Sequence, residues 1–369
     1  MIEENIVFQN VKTVQGETMH IQVTGGVITA ISKEEIACEN AKIVDFGGTT
    51  YVSPGWIDMH VHAFSDFYPY GDEIDEIGYK SGVTTIVDAG SCGADRFHEL
   101  VARGEAAKTN LLAFLNISRT GLERVDELSD LRLLDGQKIA EIVSQYSHYI
   151  VGLKARISRS VVKDAGIEPL KIARIFSEVC QLPLMVHIGS SPPDIRDVLV
   201  LLKKNDILTH YLHGKANGLF DANGRPLPEF LDACERGIHL DVGHGTASFS
   251  FQIAKQAILH GLRFDTISTD IYRRNRVNGP VYSMANVLSK FLYVGYTLPE
   301  VIDAVTLRAA NWLRRPELGM MSVGQLANLT FFSVENQPVR LIDSVGEEVE
   351  AQKEVCVKGV VINGEYFRH

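Results

Sequence analysis

Ser53-Pro54-Gly55-Trp56-Ile57-Asp58-Met59-His60-Val61-His62 leads an apolar, strand-like segment out of a Pro-Gly turn and ends it on two histidines. Side chains on a strand alternate faces, so histidines two apart point the same way and can share one metal ion. Alone the spacing is weak evidence: with 12 histidines in 369 residues, chance gives roughly 0.4 such pairs per chain. The setting adds weight, because ligands at the C-terminal end of an apolar strand occupy the face on which parallel barrels keep their active sites.

Downstream of this segment, apolar β-rich runs recur at 84–89, 111–117, 150–156, 184–188, 207–211, 238–242 and 266–270, each followed by a stretch of helical periodicity. Counted with 50–60, they make eight strands of near-continuous hydrophobicity, as expected when both faces of a parallel sheet are covered. The predicted class is α/β, a (β/α)8 TIM barrel. A doubly wound open sheet is the alternative, but no Gly-rich phosphate loop follows the first strand. Before the barrel, short strands around Ile6-Val7-Phe8, His20–Val23 and Val27–Ile31 alternate with glycine turns. After it, 328–332 and 354–362 read the same way, followed by the turn-prone Asn363-Gly364. Each end has too few strands to stand alone. They are therefore expected to join into one small β-sandwich-like domain, dividing the chain into 1–50, a barrel over 51–318, and 319–369.

Composition excludes several classes of function. A net charge of -10 with no Lys/Arg-rich run would repel phosphates, so no nucleic-acid partner is expected. The start Met1-Ile2-Glu3-Glu4-Asn5 lacks the basic and apolar regions of a signal peptide, and no run of 18 apolar residues occurs. Five dispersed cysteines suit a reducing compartment better than a disulfide framework. The expectation is a cytoplasmic protein with a small-molecule substrate and no membrane partner; a homo-oligomer stays open.

The remaining reactive side chains fall at the ends of later strands. Lys154, in Val151-Gly152-Leu153-Lys154-Ala155-Arg156, lies deep in an apolar run, where burial favours the neutral amine. Such an amine can take up carbon dioxide, and the resulting carbamate can bridge two cations. Arg156 shares its face and could clamp a substrate carboxylate; a strand-end lysine reaching water beside a salt-bridged arginine is the alternative. His187 and His210 each close an apolar strand. His213 is a rival ligand, assigned to substrate contact because it lies beyond the strand. Asp270 could move protons as a general acid-base, or merely cap a helix. Asp241-Val242-Gly243-His244-Gly245 could line the pocket or form a glycine turn, and Tyr272 and Arg274 follow the last strand, where barrel loops often bind anions. Cys92, past the second strand, is a rival bridging ligand.

Together His60-Val61-His62, Lys154, His187, Thr209-His210 and Asp270 resemble the amidohydrolase superfamily, and Gly324-Gln325-Leu326-Ala327-Asn328-Leu329 extends the likeness toward the C-terminus. The resemblance implies two divalent ions, zinc in most members: His60, His62 and Asp270 on the inner one, His187 and His210 on the outer, with carboxylated Lys154 and a hydroxide between. Val151–Arg156 and Asp241–Gly245 are similar to a bacterial group often labelled dihydroorotase or adenine deaminase, which hydrolyses acetylated α-hydroxy acids such as acetyl-(R)-mandelate. Dihydroorotases carry an arginine two positions after the second histidine; here it is Phe64. The implied function is removal of an acetyl group from a small carboxylate-bearing molecule. The competing readings are a cyclic-amide hydrolase, an N-acyl-amino-acid deacetylase, an adenine deaminase, and a catalytically inactive scaffold barrel.

Overall fold

The computed structural model describes residues 5–38 and 40–369; residues 1–4, part of the stretch read against a signal peptide, lie outside them. Seven parallel strands stand in sequence order: Trp56–Val61, Val83–Ala89, Asn110–Asn116, Ile150–Ile157, Leu184–Ile188, Ile207–Thr209 and His239–Asp241. The expected eighth strand is not a regular one. Thr266 bridges Asp241 and Ile271 bridges Val61; with Val242 N donating to Thr266 O and Asp270 N to His60 O, this segment closes the ring. Its polar side chains turn aside to Asp241 and Asp58, so a continuous ladder does not form.

Ile57, Met59, Val87, Ala89, Leu112, Phe114, Met185 and Ile207 fill the barrel interior, plugged from below by Ala309 and Ala310 of the helix Leu307–Trp312. A second, larger core lies between strands and surrounding helices, for example Leu153, Leu170, Ala173 and Val186. Each fully buried leucine or valine side chain there contributes roughly 1.5–3 kcal/mol.

The two chain ends do pair. Leu329–Glu335 runs antiparallel to both Tyr51–Pro54 and Glu354–Ile362, in an eight-stranded sheet with Asn5–Lys12, Thr18–Thr24, Val27–Ser32, Lys42–Asp45 and Glu365–Arg368. Ile6, Phe8, Ile21, Val52, Phe331 and Val361 form its core. The run expected as one strand over 50–60 is two: Tyr51–Pro54 belongs to this sheet, and after Gly55 the chain enters the barrel. A short hairpin, Val339–Ile342 with Glu348–Ala351, was not expected. Its turn touches the barrel mouth, Ser344 donating to the carbonyls of His244 and Gly245. No helix among the described residues is long and apolar enough to cross a membrane.

Candidate active site

A cavity of about 180 Å³ opens at the C-terminal ends of the barrel strands. His60 and His62 line it from one strand end, Lys154 and Arg156 from another, His187 from a third, and Asp270 and Tyr272 from the closing segment; His210 is not among the lining residues. His60 and His62 reach it by a device the simple alternation does not contain. Ile57 and Met59 face the barrel interior, which would send Val61 inward next. The register shifts between Asp58 and Val61, and this irregularity hands the inward position to His60 instead.

The centre is tight. One donor atom each from His60, His210 and Asp270 lie within 4.8 Å of one another. Asp270 Oδ1 is 3.2 Å from His62 Nε2 and 3.5 Å from His60 Nε2, Lys154 Nζ is 3.2 Å from His60 Nε2, and the His187 and His210 rings are 4.3 Å apart. His210 and Asp270 both adopt left-handed backbone, φ 71° and 50°. Non-glycine residues pay for that geometry, and it clusters at functional sites. Two glycines make room: a Cβ on Gly243 would stand 2.7 Å from His210 Nδ1, and one on Gly245 2.3 Å from Asp270 Oδ2.

Hydrogen bonds fix which lone pairs face the centre. His210 Nδ1 lies 2.6 Å from the Gly243 carbonyl, which can only accept, so Nδ1 carries the proton and Nε2 is bare. That Nε2 is buried without a partner. Thr209 donates its hydroxyl to Asp241 at 2.7 Å, leaving it to accept from His60 Nδ1 at 3.0 Å; His60 Nε2 is then bare as well. A carboxylate or carbonyl behind a histidine is the usual support of a metal ligand.

Electrostatics agree. Burial holds His60, His187 and His210 neutral, well below the ordinary histidine range, and neighbouring cations add to it. Burial brings Lys154 down to about 7, with Asp270 and Asp241 opposing. Burial raises Asp270, but His60, His62 and Lys154 outweigh it, and its carboxyl ends below the usual value. Neutral imidazoles beside an ionised carboxylate, one imidazole carrying an orphaned buried lone pair, are the donor set a divalent cation takes.

Three expected contacts, and the rival ligand Cys92, lie away from the cavity lining. His213 is buried but does not line the cavity, its Nδ1 accepting from Lys215 N. His244 turns into the core, its Nε2 3.0 Å from Lys290 Nζ. Arg274 points to solvent from the helix Arg273–Asn278. Cys92 packs in the hydrophobic core away from the lining. In each case the residue lies beyond a strand end, where loop geometry rather than pleat decides direction. Tyr70, Ser158, Lys215 and Thr246 line the cavity but were not anticipated, since loop residues carry no periodic signal. Arg156 is held by buried Glu127 at 3.2 Å, by the Val125 carbonyl, and against the Tyr70 ring at 5.3 Å.

Residues 51–366 match the sequence profile of the amidohydrolase family. This chain belongs to the amidohydrolase family. It is 38% identical to a deacetylase of Enterococcus faecalis over 99% of this chain and all of that one. It is 35% identical to a deacetylase of Brucella anthropi over 93% of this chain and 87% of the relative. A crystal structure described as an adenine deaminase superposes with a TM-score of 0.95 at 38% identity, covering 99% and 100% of the two chains. One described as a dihydroorotase does so at 0.91 and 32%, covering 99% of each. Among amidohydrolases, which as a rule use metal ions, the His60–His210–Asp270 group is the fitting place for one.

Proposed function

We propose that this amidohydrolase is a zinc-dependent deacetylase that hydrolyses the acetyl ester or amide of a small carboxylate-bearing acid, with acetyl-(R)-mandelate as the type of substrate. The observation that carries the reading is the clustering of bare His60 and His210 nitrogens with ionised Asp270, and of buried Lys154 against His60, at the floor of a small cavity that His60, Lys154 and Asp270 line.

In this proposal His60, His62 and Asp270 hold one divalent ion and His187 and His210 the other. Lys154 would supply a further anionic ligand as a carbamate, its amine nitrogen bonding to the carbon of CO2 and releasing one proton. Bound there, the ions supply Lewis acidity to the acyl carbonyl and acidify a water. Asp270 accepts that water's proton and returns it to the leaving oxygen or nitrogen, so acetate and the free acid depart with the elements of water shared between them. Tyr272, its hydroxyl 2.6 Å from Thr246, and Arg156 border the substrate. The barrel, taken as 51–318, carries the chemistry, and the segments 1–50 and 319–369 brace it. The dispersed cysteines keep the cytoplasm as the proposed setting.

The names of the relatives point three ways, and Phe64 disfavours one of them. It is buried beneath the guanidinium groups of Arg96 and Arg103, at 4.8 and 4.3 Å, so the position that would grip dihydroorotate offers no cation to the cavity. The test is a panel of acetyl-(R)-mandelate, N-acetyl amino acids, dihydroorotate and adenine with metal-loaded enzyme. Turnover of the acetylated acids well above the others is expected; turnover of adenine or dihydroorotate alone overturns the reading. Metal analysis should find at least one ion per chain, and far less would favour a scaffold.

A further inference from the structure

The cavity wall holds a cation to which the proposed chemistry gives no task. Lys215 lies in the loop after Ile207–Thr209 and lines the cavity with Arg156, Ser158 and Ser190. Its backbone N donates to His213, but among the described residues its ammonium has neither a hydrogen-bond acceptor nor a carboxylate within ion-pair reach. The loop is held in place: Asn217 donates to the carbonyls of Gly189 and Pro193 and accepts from Ile195 N. Lys215 Nζ and Ser158 Oγ both stand close to Gly189, 3.6 and 2.6 Å from where a Cβ on it would lie. Gly189 directly follows the strand that carries His187.

The other cation on the wall is already matched. Arg156 sits 3.2 Å from fully buried Glu127, a formally neutral pair, with a further N–H given to Val125 O. Lys154 is reserved for the centre. Among the described residues, Lys215 is thus the one wall cation with charge to spare. Burial lowers its pKa, Asp270 opposing and Arg156 adding to the effect; an arriving anion relieves a desolvated ammonium of this kind. Ser158 Oγ already accepts from Ser190 N, which leaves its hydroxyl hydrogen free to donate.

We propose that Lys215, with the Ser158 hydroxyl beside it, seats the substrate's carboxylate, so that charge selectivity comes from this loop rather than from Arg156 alone. The inference rests on the deacetylase reading above. It assigns the enzyme to acetylated acids as a class and against their neutral amides and esters.

The test compares kcat/KM for O-acetyl-mandelate and for its primary carboxamide in wild type, K215M and K215R, with metal content and melting temperature measured for each. A charge-assisted hydrogen bond to a carboxylate is lost in K215M, so its preference for the acid over the carboxamide should fall about 10- to 100-fold, mainly through KM. K215R should keep the preference to within several-fold. An unchanged preference in metal-replete K215M overturns the role of Lys215 and leaves the deacetylase reading standing. A wild type that hydrolyses no acetylated acid overturns both.

Discussion

Lys154 Nζ lies 3.2 Å from His60 Nε2, and its other near polar neighbour is the Met185 sulfur at 3.1 Å. No acid stands within ion-pair reach among the described residues, and the more distant Asp270 and Asp241 offset only part of the cost of a buried ammonium. A neutral amine beside bare imidazole nitrogens is a place where a further anionic ligand is needed to bring cations in.

Replacing Lys154 by alanine should therefore remove bound metal and activity together. The metal centre supplies several kcal/mol of charge stabilisation, so kcat/KM should fall by on the order of 10³-fold or more. Short carboxylic acids added to Lys154→Ala should restore part of it. Mass spectrometry of the native holoenzyme should show one added CO2, lost on acidification.

Thr209 is a positioning residue for His60. Thr209→Val removes the acceptor of His60 Nδ1 and leaves an Asp241 oxygen without that donor. Metal affinity should drop about 10- to 100-fold, read by titration with a competing chelator, while KM at saturating metal changes little. Thr209→Ser should recover most of the loss.

Gly245→Ala puts a Cβ 2.3 Å from Asp270 Oδ2 at a backbone φ of 53°. The backbone penalty is about 1–2 kcal/mol, tolerable for a folded domain, whereas the clash displaces the proton-carrying carboxylate. The variant should melt only several degrees lower, yet lose on the order of 10²-fold in kcat.

Acid should weaken the metal-free protein in a definite direction. Histidines 60, 187 and 210 are held well below 6.5 in the fold, so the unfolded chain takes up protons first and stability is lost as pH falls below about 6.5. Lys154, lowered to about 7 from 10.5, acts in the same sense, with stability rising from pH 7 toward 10. Melting curves of chelator-treated protein should drop between pH 7 and 5, and His210→Asn should flatten that slope. A flat profile in the native sequence contradicts it.

Much of this site was legible because its ligands end apolar strands, where a two-residue repeat says which way a side chain faces. Lys154 and Arg156 keep that repeat and do share the cavity. His60 arrives there only through a shifted register, which no pattern of residue types announces. His213, His244 and Arg274 could not be read: each follows a strand end, and what turned them away, such as Lys290 beneath His244, comes from distant sequence. Lys215 was overlooked for the same reason. The β-domain was readable as strands, but not the switch of sheets at Gly55, which depends on Leu329–Glu335 pairing with Tyr51–Pro54.

Thr330 Oγ1 accepts from Trp56 N across 274 positions of sequence and donates to the Gly82 carbonyl, while Gly55 N donates to Asn328 O. The base of the strand that presents His60 is thus pinned by residues synthesised long after it. On the ribosome, that histidine pair must wait, staying unanchored until the far-downstream segment 328–330 has been made. A message truncated shortly before codon 328 would yield most of the barrel and all of the candidate ligands, but without the clasp that holds the first of them in place.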